Sequence, residues 1–370
     1  MKAVILVGGL GTRLRPLTCN TPKPMIPLVN QPFIEHMIES LRDQGITEVI
    51  LAVQYLADRF RSSLGDGSRL GVRVHIAEEP EPRGTAGAVK NVEHMLDDTT
   101  FVFNGDVMTD LDLQAMLAYH RQQASKLTIA LTPVEDPTAF GLVETEAGGR
   151  IRRFLEKPRP EDVTTNMINA GTYILEPEVF RYVPANQFYM FERGLFPTML
   201  EHSEPMFGFP SHSYWTDVGK PQTYLEVHHD ILIGKVRYTF RGKQIAERVW
   251  AEGATNIDPT AQIVGPVVLG PNVTIAAGAR VIGPSVIGAG CVIGPEATVE
   301  DSVLWDNNEI GAGAALRACV VGRGNRIGAN AHLADGTIVS DNCTIGGENR
   351  LERGIRIWPN TELKDQAISF

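Results

Sequence analysis

The sequence predicts two architectures in tandem: a layered α/β domain on a mostly parallel sheet, then an all-β coil of hexapeptide repeats. Three observations carry this. Residues 1–232 alternate short apolar runs with amphipathic stretches, the pattern of strand and helix in turn. The first apolar run empties into a glycine-rich loop, and sheets of this kind bind ligands beyond the carboxyl ends of their strands. From about residue 251 the apolar period changes to six, the mark of a β-helix in which each hexad is a short strand and a turn. Residues 233–250 lie between them as a linker, with the basic cluster Lys235, Arg237, Arg241 and Lys243 on a solvated connecting face.

The totals agree. A chain of 370 residues has room for two full cores. A hydrophobic fraction of 43% fits a globular protein. A net charge of −10 argues against general affinity for nucleic acid or an anionic membrane. No apolar stretch approaches a membrane span. The chain runs into its first strand with no signal-peptide pattern, so a cytoplasmic location is expected. Cys19, Cys291, Cys319 and Cys343 show neither CxxC nor metal spacing and read as reduced core thiols.

In the first part, strands are expected over residues 3–7, 49–53, 72–77, 101–103, 127–131 and 173–175. Helices are expected over 33–44, 85–96 and 113–123. The opening strand leads into Gly8-Gly9-Leu10-Gly11-Thr12-Arg13. Glycines let backbone N–H groups approach a bulky anion. Thr12 and Arg13 add a hydroxyl and a guanidinium suited to phosphate oxygens. Lys23 follows, held between Pro22 and Pro24. Together these describe a triphosphate-handling loop with two cations. It is not a dinucleotide fingerprint, because Leu14 stands where the last glycine belongs. It is not a P-loop, because that loop ends in Gly-Lys-Ser/Thr and here Thr12-Arg13 stands instead.

In the second part, Ile257, Ile263, Leu269, Ile275, Val281, Ile287, Ile293 and Val299 form an unbroken hexad series. After slips of one residue Leu304, Ile310 and Leu316 continue it. Ile327, Leu333, Val339, Ile345, Leu351, Ile357 and Leu363 carry it nearly to the end. Small residues such as Ala279, Cys291, Ala297, Ala314, Ala331 and Cys343 sit four positions on, where a corner must close. Three hexads make one triangular turn of the coil.

Two acidic residues suit a hard cation. Asp106 ends Phe103-Asn104-Gly105-Asp106, and Asp217 lies in Trp215-Thr216-Asp217-Val218-Gly219. Mg²⁺ is commonly held by one or two carboxylates plus substrate phosphates. Nothing in the spacing brings these two together across more than a hundred residues.

The opening strand, the Gly-Gly-x-Gly-Thr-Arg loop and the Pro-Lys-Pro segment resemble the sugar-1-phosphate nucleotidyltransferase family, and the likeness covers nearly the whole chain. It implies a Rossmann-like catalytic domain over 1–232 and a left-handed β-helix over 251–370 that assembles a homo-oligomer. It implies transfer of a nucleoside monophosphate from an NTP to a sugar-1-phosphate, with pyrophosphate leaving. Arg13, Lys23, Asp106 and Asp217 are then the catalytic candidates, with Asp106 and Asp217 holding Mg²⁺. Leu6, Gly8, Gly9, Gly11, Thr12, Arg13, Glu79, Gly84, Thr85 and Asn104 are placed on the nucleotide. Phe154-Leu155-Glu156-Lys157-Pro158 and Asn169-Ala170-Gly171 are similar to segments that hold the acceptor. Gly141, Glu156, Lys157, Asn169 and Gly171 are therefore placed on the sugar phosphate.

Relatives that use thymidine or uridine triphosphate often carry a glutamine before the segment Glu79-Pro80-Glu81-Pro82-Arg83-Gly84-Thr85-Ala86-Gly87. Here Ala77-Glu78-Glu79-Pro80 stands instead. A carboxylate accepts from the N1 and N2 hydrogens of guanine, which points to GTP; thymidylyl transfer to glucose-1-phosphate is the alternative. Phe191 departs from the family pattern by standing where a small residue is usual. Silent regulatory relatives lose the loop arginine, the lysine or an aspartate, and this chain keeps all of them. Acyl transfer on the coil needs a histidine base, and His332 is the single histidine there, with no inserted loop beside it.

Overall fold

A computed structural model of the chain describes residues 1–79 and 81–369. Pro80, in the expected base-reading stretch, lies outside them. The chain forms two compact units that interleave along the sequence: Met1–Leu10 with Ile34–Asp217, and Gly11–Phe33 with the chain from Val218 onward.

The first unit is built on a nine-stranded mixed sheet. Lys2–Val7 lies at its centre, parallel to both Glu48–Val53 and Thr100–Asn104. Arg73–Glu78 extends the parallel half beyond Glu48–Val53. Lys2–Val7, Glu48–Val53 and Thr100–Asn104 are nearly continuous apolar runs because both faces are covered; Val4, Ile5, Ile50, Leu51, Phe101 and Val102 are all fully buried. The other half is antiparallel except for one parallel pair, Met206–Pro210 with Leu127–Pro133. Met167–Leu175 pairs with Thr100–Asn104 and Leu127–Pro133, and the hairpin Gly141–Thr145/Ile151–Glu156 follows. This hairpin, like Met206–Pro210 alongside Leu127–Pro133, carries a weaker apolar pattern than the central strands. The expected parallel order thus holds around the first strand and gives way to mostly antiparallel pairings beyond Thr100–Asn104.

The helices follow from spacing and caps. Phe33–Asp43 buries Ile34, Ile38 and Leu41 along one stripe. Leu113–Gln122 starts at Asp112, whose carboxylate accepts from the Ala115 N–H at 2.9 Å. The expected helix 85–96 is shorter, Gly84–Asn91, and ends in a separate 3₁₀ turn, Glu93–Met95.

In the second unit, three sheets of eight, seven and six strands, parallel but for one edge strand of the first, make the sides of the coil. Strands pair with those eighteen residues on, as Val268 with Val286. The interval tightens to seventeen at Val286 with Val303, then returns to eighteen at Val320 with Ile338. These contractions are the two phase slips. Val321, fully buried, supplies the interior residue between Leu316 and Ile327 that the periodic series lacked. The interior is a single stack of Ile, Leu and Val with Ala279, Cys291, Ala314, Cys319, Ala331 and Cys343 between them. Burial pushes the Cys291 and Cys319 thiols up to about 11 and about 12, so both stay protonated. Part of the expected linker joins the coil: Lys243–Ala246 pairs antiparallel with Val249–Ala251, and Phe240 stacks on Trp250 at 4.0 Å.

Candidate active site

Leu6 lies opposite Asn104 in neighbouring parallel strands. Both strands therefore end at one edge, where Val7 runs into Gly8 and Gly9 and Asn104 into Gly105-Asp106. The Gly105 N–H donates to the Leu6 carbonyl at 2.9 Å, which fixes the two exits side by side.

Past Asp106 the chain forms a two-stranded antiparallel ribbon from Val107–Thr109 and Trp215–Asp217, with Val107 directly opposite Asp217. The two aspartates that the sequence left more than a hundred residues apart thus occupy adjoining positions on one ribbon. Its far end is held by the Tyr214 N–H, which donates to Asp110 at 2.8 Å. An all-oxygen donor pair of this kind suits a hard divalent cation. Among the described residues no cluster of three or more His, Cys, Asp or Glu forms a further candidate.

The same ribbon is tied to the acceptor side. Trp215 donates its indole N–H to the Ala170 carbonyl at 2.9 Å and meets Phe140 edge-on at 5.5 Å. Ala170 lies between Asn169 and Gly171, and Phe140 precedes Gly141, so three expected sugar-side residues are fixed relative to Asp217. The Asn169 side-chain Oδ1 accepts from the Gly171 N–H at 2.9 Å, and its Nδ2 donates to the Tyr173 hydroxyl at 2.9 Å. Gly171 has φ +72°, and a β-carbon there would come within 2.7 Å of the Asn104 amide nitrogen; only glycine meets both demands. Asn104 also bonds Tyr173, whose fully buried hydroxyl is held well above its usual pKa by desolvation. Tyr173 is a joint between the expected nucleotide and sugar residues that sequence reasoning missed, because an apolar strand gave no sign of it.

Glu156 ends its strand opposite Gly141. Lys157 follows, exposed, with φ 51°, and its N–H donates to Phe140 O at 2.9 Å. A lysine in this left-handed conformation is uncommon, and such strain gathers at functional positions.

The base-side expectations land on a busier region. Glu79 is buried, which raises its carboxyl above the usual range, and one of its oxygens accepts from the Arg83 N–H at 3.2 Å. Glu78 is exposed and paired with Arg61 at 2.9 Å. Gly84 opens the helix that carries Thr85. The Thr85 hydroxyl accepts from the Phe191 N–H at 2.8 Å and donates to Glu192 at 3.3 Å. The Glu192 carboxyl is raised by burial, with Glu156 adding to the effect. Glu192 is a second group the sequence left without a role, although its segment, 191–197, resembles a family pattern. Phe191 itself stacks on Phe196 at 5.6 Å and tilts against Tyr173 at 5.0 Å. Its departure from the family pattern is thus a core-packing choice.

The cationic residues belong to the other compact unit. Gly11, with φ +60°, begins the 3₁₀ turn Thr12–Leu14, and a β-carbon there would press on Lys23 Cβ at 3.1 Å. The Thr18 hydroxyl donates to the Gly11 carbonyl at 2.7 Å. Thr12 and Arg13 are exposed while Leu14 and Leu17 are fully buried, so the apolar residues anchor the turn and the polar ones face outward. Lys23 sits in a second 3₁₀ turn, Lys23–Met25, and is largely buried.

Comparison with known proteins bears on the family and the fold. Residues 2–233 match the family described as Nucleotidyl transferase, and residues 246–351 match the EIF2B subunit epsilon LbH domain. Mannose-1-phosphate guanylyltransferase of Mycobacterium tuberculosis is 38% identical over 79% of this chain and 82% of its own. The mannose-1-phosphate guanylyltransferase catalytic subunit beta of Danio rerio is 34% identical over 99% of this chain and 98% of its own. UTP--glucose-1-phosphate uridylyltransferase of Synechocystis is 34% identical over 85% and 86%. Among solved structures, HddC from Yersinia pseudotuberculosis complexed with GMP-PN superposes with a TM-score of 0.54 at 31% identity, over 61% of this chain and 97% of that one. The family works with a divalent metal, and the oxygen donors Asp106 and Asp217 fit one. With its sheet, its metal-suited ribbon and its coil, the chain belongs to the sugar-1-phosphate nucleotidyltransferases, as a nucleotidyltransferase that carries a C-terminal left-handed β-helix.

Proposed function

We propose that this chain transfers GMP from GTP to mannose-1-phosphate, forming GDP-mannose and releasing pyrophosphate. The observation that carries the reading is the ribbon register that sets Asp217 opposite Val107, next to Asp106. Relatives named as mannose-1-phosphate guanylyltransferases support the donor and the acceptor. Glu79 supports the donor alone, since its second oxygen is not used by Arg83 and can accept from guanine.

An oxygen of the sugar phosphate attacks the α-phosphorus. The new P–O bond forms as the bond to the α,β-bridging oxygen breaks, and that electron pair leaves with pyrophosphate. Both reactants are anionic, so positioning and charge neutralisation do most of the catalysis. Mg²⁺, when bound by Asp106 and Asp217, supplies that neutralisation at the triphosphate. Backbone groups of Gly8, Gly9 and Gly11, with Thr12, cradle the phosphates. Arg13 and Lys23 offset charge that grows in the transition state. Lys157 holds the acceptor phosphate, and Glu156 and Asn169 orient sugar hydroxyls beside Gly141 and Gly171. Leu6, Gly84, Thr85 and Asn104 line the nucleoside. The reading divides the chain into a catalytic domain over 1–232, a linker over 233–250 and a coil over 251–370 that assembles a cytoplasmic homo-oligomer. No described helix is long and apolar enough to cross a membrane.

The test is pyrophosphate release with Mg²⁺, each of five nucleoside triphosphates and a panel of sugar-1-phosphates. GTP with mannose-1-phosphate should give the highest kcat/KM. A maximum for UTP or dTTP with glucose-1-phosphate would replace the proposal with the uridylyl or thymidylyl alternative.

A further inference from the structure

Residues 11–33, which carry Arg13 and Lys23, contain, before the helix that begins at Phe33, only two short 3₁₀ turns and a two-residue hairpin pairing, Pro27–Leu28 with Gln31–Pro32. Such a segment has too little internal structure to hold a pose by itself. It is held instead by one face of the coil, rung after rung. Asn30 donates to the Ile287 carbonyl at 3.1 Å. The Trp305 indole donates to the Tyr224 hydroxyl at 2.9 Å, and that hydroxyl donates to the Pro27 carbonyl. The Arg323 guanidinium lies 4.9 Å over the Trp305 ring and donates to the Thr21 hydroxyl at 3.1 Å. The buried Ser340 hydroxyl donates to the Pro16 carbonyl at 2.9 Å. Arg356 donates to the Arg15 carbonyl at 3.0 Å.

The order of these contacts is regular. The strands Ser285–Ile287, Val303–Leu304, Val320–Val321, Ile338–Val339 and Arg356–Ile357 are successive neighbours in the eight-stranded sheet. Each contacting coil residue lies in one of them or within two residues of its end. Along the coil from first to last, the partners run backward through the segment: 30, 27, 21, 16, 15. The segment therefore lies lengthwise on a ladder whose rungs repeat about every 4.8 Å.

We propose that this face of the coil is a positioning platform for the triphosphate-handling segment, and that Arg323, through Thr21, and Ser340, through Pro16, are positioning residues for Lys23 and Arg13. The inference rests on the proposed roles of those two cations. Thr21 lies two residues before Lys23, and Pro16 three after Arg13. A displacement of an ångström at a charge meant for a reacting phosphate is enough to cost rate. The coil's regularity makes it a stiff support, because its interior packs as one continuous stack.

Two measurements on the full chain test this. In steady-state kinetics, Arg323→Ala and Ser340→Ala should each raise KM for the nucleotide or lower kcat by about tenfold, the scale of one lost charge-assisted or buried hydrogen bond. KM for the sugar-1-phosphate should stay within twofold. Thr21→Val should mimic Arg323→Ala and add little to it, and Thr21→Ser, which keeps the hydroxyl, should restore activity. Arg326→Ala, in a strand of the seven-stranded sheet, should leave the kinetics unchanged. Hydrogen exchange, which needs no turnover, should show faster exchange in 11–33 for Arg323→Ala and Ser340→Ala, with Lys2–Val7 and the coil strands unaltered. Unchanged exchange overturns the platform. Faster exchange with unaltered nucleotide kinetics overturns the positioning role. A wild type that turns over no substrate pair refutes the proposed function, while the exchange result still judges the platform.

Discussion

The coil and the α/β sheet reach order by opposite means. In the coil every rung repeats the one before it. Ile293, Ile310, Ile327 and Ile345 do the same job at successive heights, and the phase survives two one-residue contractions. In the α/β unit nothing repeats. Asp217 comes to Asp106 by a single three-residue ribbon, and Trp215 has one indole to give to Ala170. Repetition makes a support that tolerates local change, whereas a site made of single contacts has no spare part. Residues 11–33 join the two kinds of order, since a unique segment is laid on a repeating surface.

The sharpest way to break the comparison is at the ribbon. Asp106→Asn should lower pyrophosphate release by at least about a thousandfold at saturating Mg²⁺, because it removes a ligand charge while keeping shape. Thermal unfolding should be nearly unmoved, since the aspartate is not a core group. Turnover within a few-fold of wild type would remove Asp106 from the metal.

Lys157→Ala should act next in size. It should raise KM for the sugar-1-phosphate about tenfold or more and leave KM for the nucleotide nearly alone, as loss of a point charge on a phosphate monoester would. Asn169→Ala should push the same way but more weakly, because a neutral hydrogen bond is lost. Equal rises for both substrates would move Lys157 to the α-phosphate.

The coil is probed by Val281→Ala, which empties part of one rung. A cost of about 1–3 kcal/mol in denaturant unfolding is expected, with kinetics unchanged. A large loss of activity without unfolding would show that the repeating unit is less redundant than its sequence.

The last expectation is in pH. Glu252, at the start of the coil, is pushed up to about 7 by burial, against the opposing pull of Arg241 and a hydrogen bond with Asn30. The folded state therefore binds this proton more tightly than the unfolded chain does. Its contribution to stability is complete below the ordinary value of 4.5 and is lost as pH rises toward about 7. Unfolding free energy should fall across that window, and Glu252→Gln should flatten the slope. An identical slope in the variant would assign it to other groups.

Period and composition alone determined the coil, since an interior residue every sixth position leaves one way to bury the series. They also determined the opening strand, its glycine loop and the helices with clear apolar stripes, because those signals are local. The sequence named Asp106 and Asp217 but gave no physical reason for them to meet; the ribbon did that through a pairing between distant segments. Tyr173, Glu192 and Trp215 carried no role in the sequence, even where their segments resembled the family's, until packing gave the first two buried polar partners and the third a carbonyl. The attachment of residues 11–33 to the coil was likewise invisible. Hydrogen bonds from Arg323, Ser340 and Arg356 to backbone carbonyls and a hydroxyl leave no periodic trace in a sequence. Their partners are chosen only when the chain has folded and the distances are set.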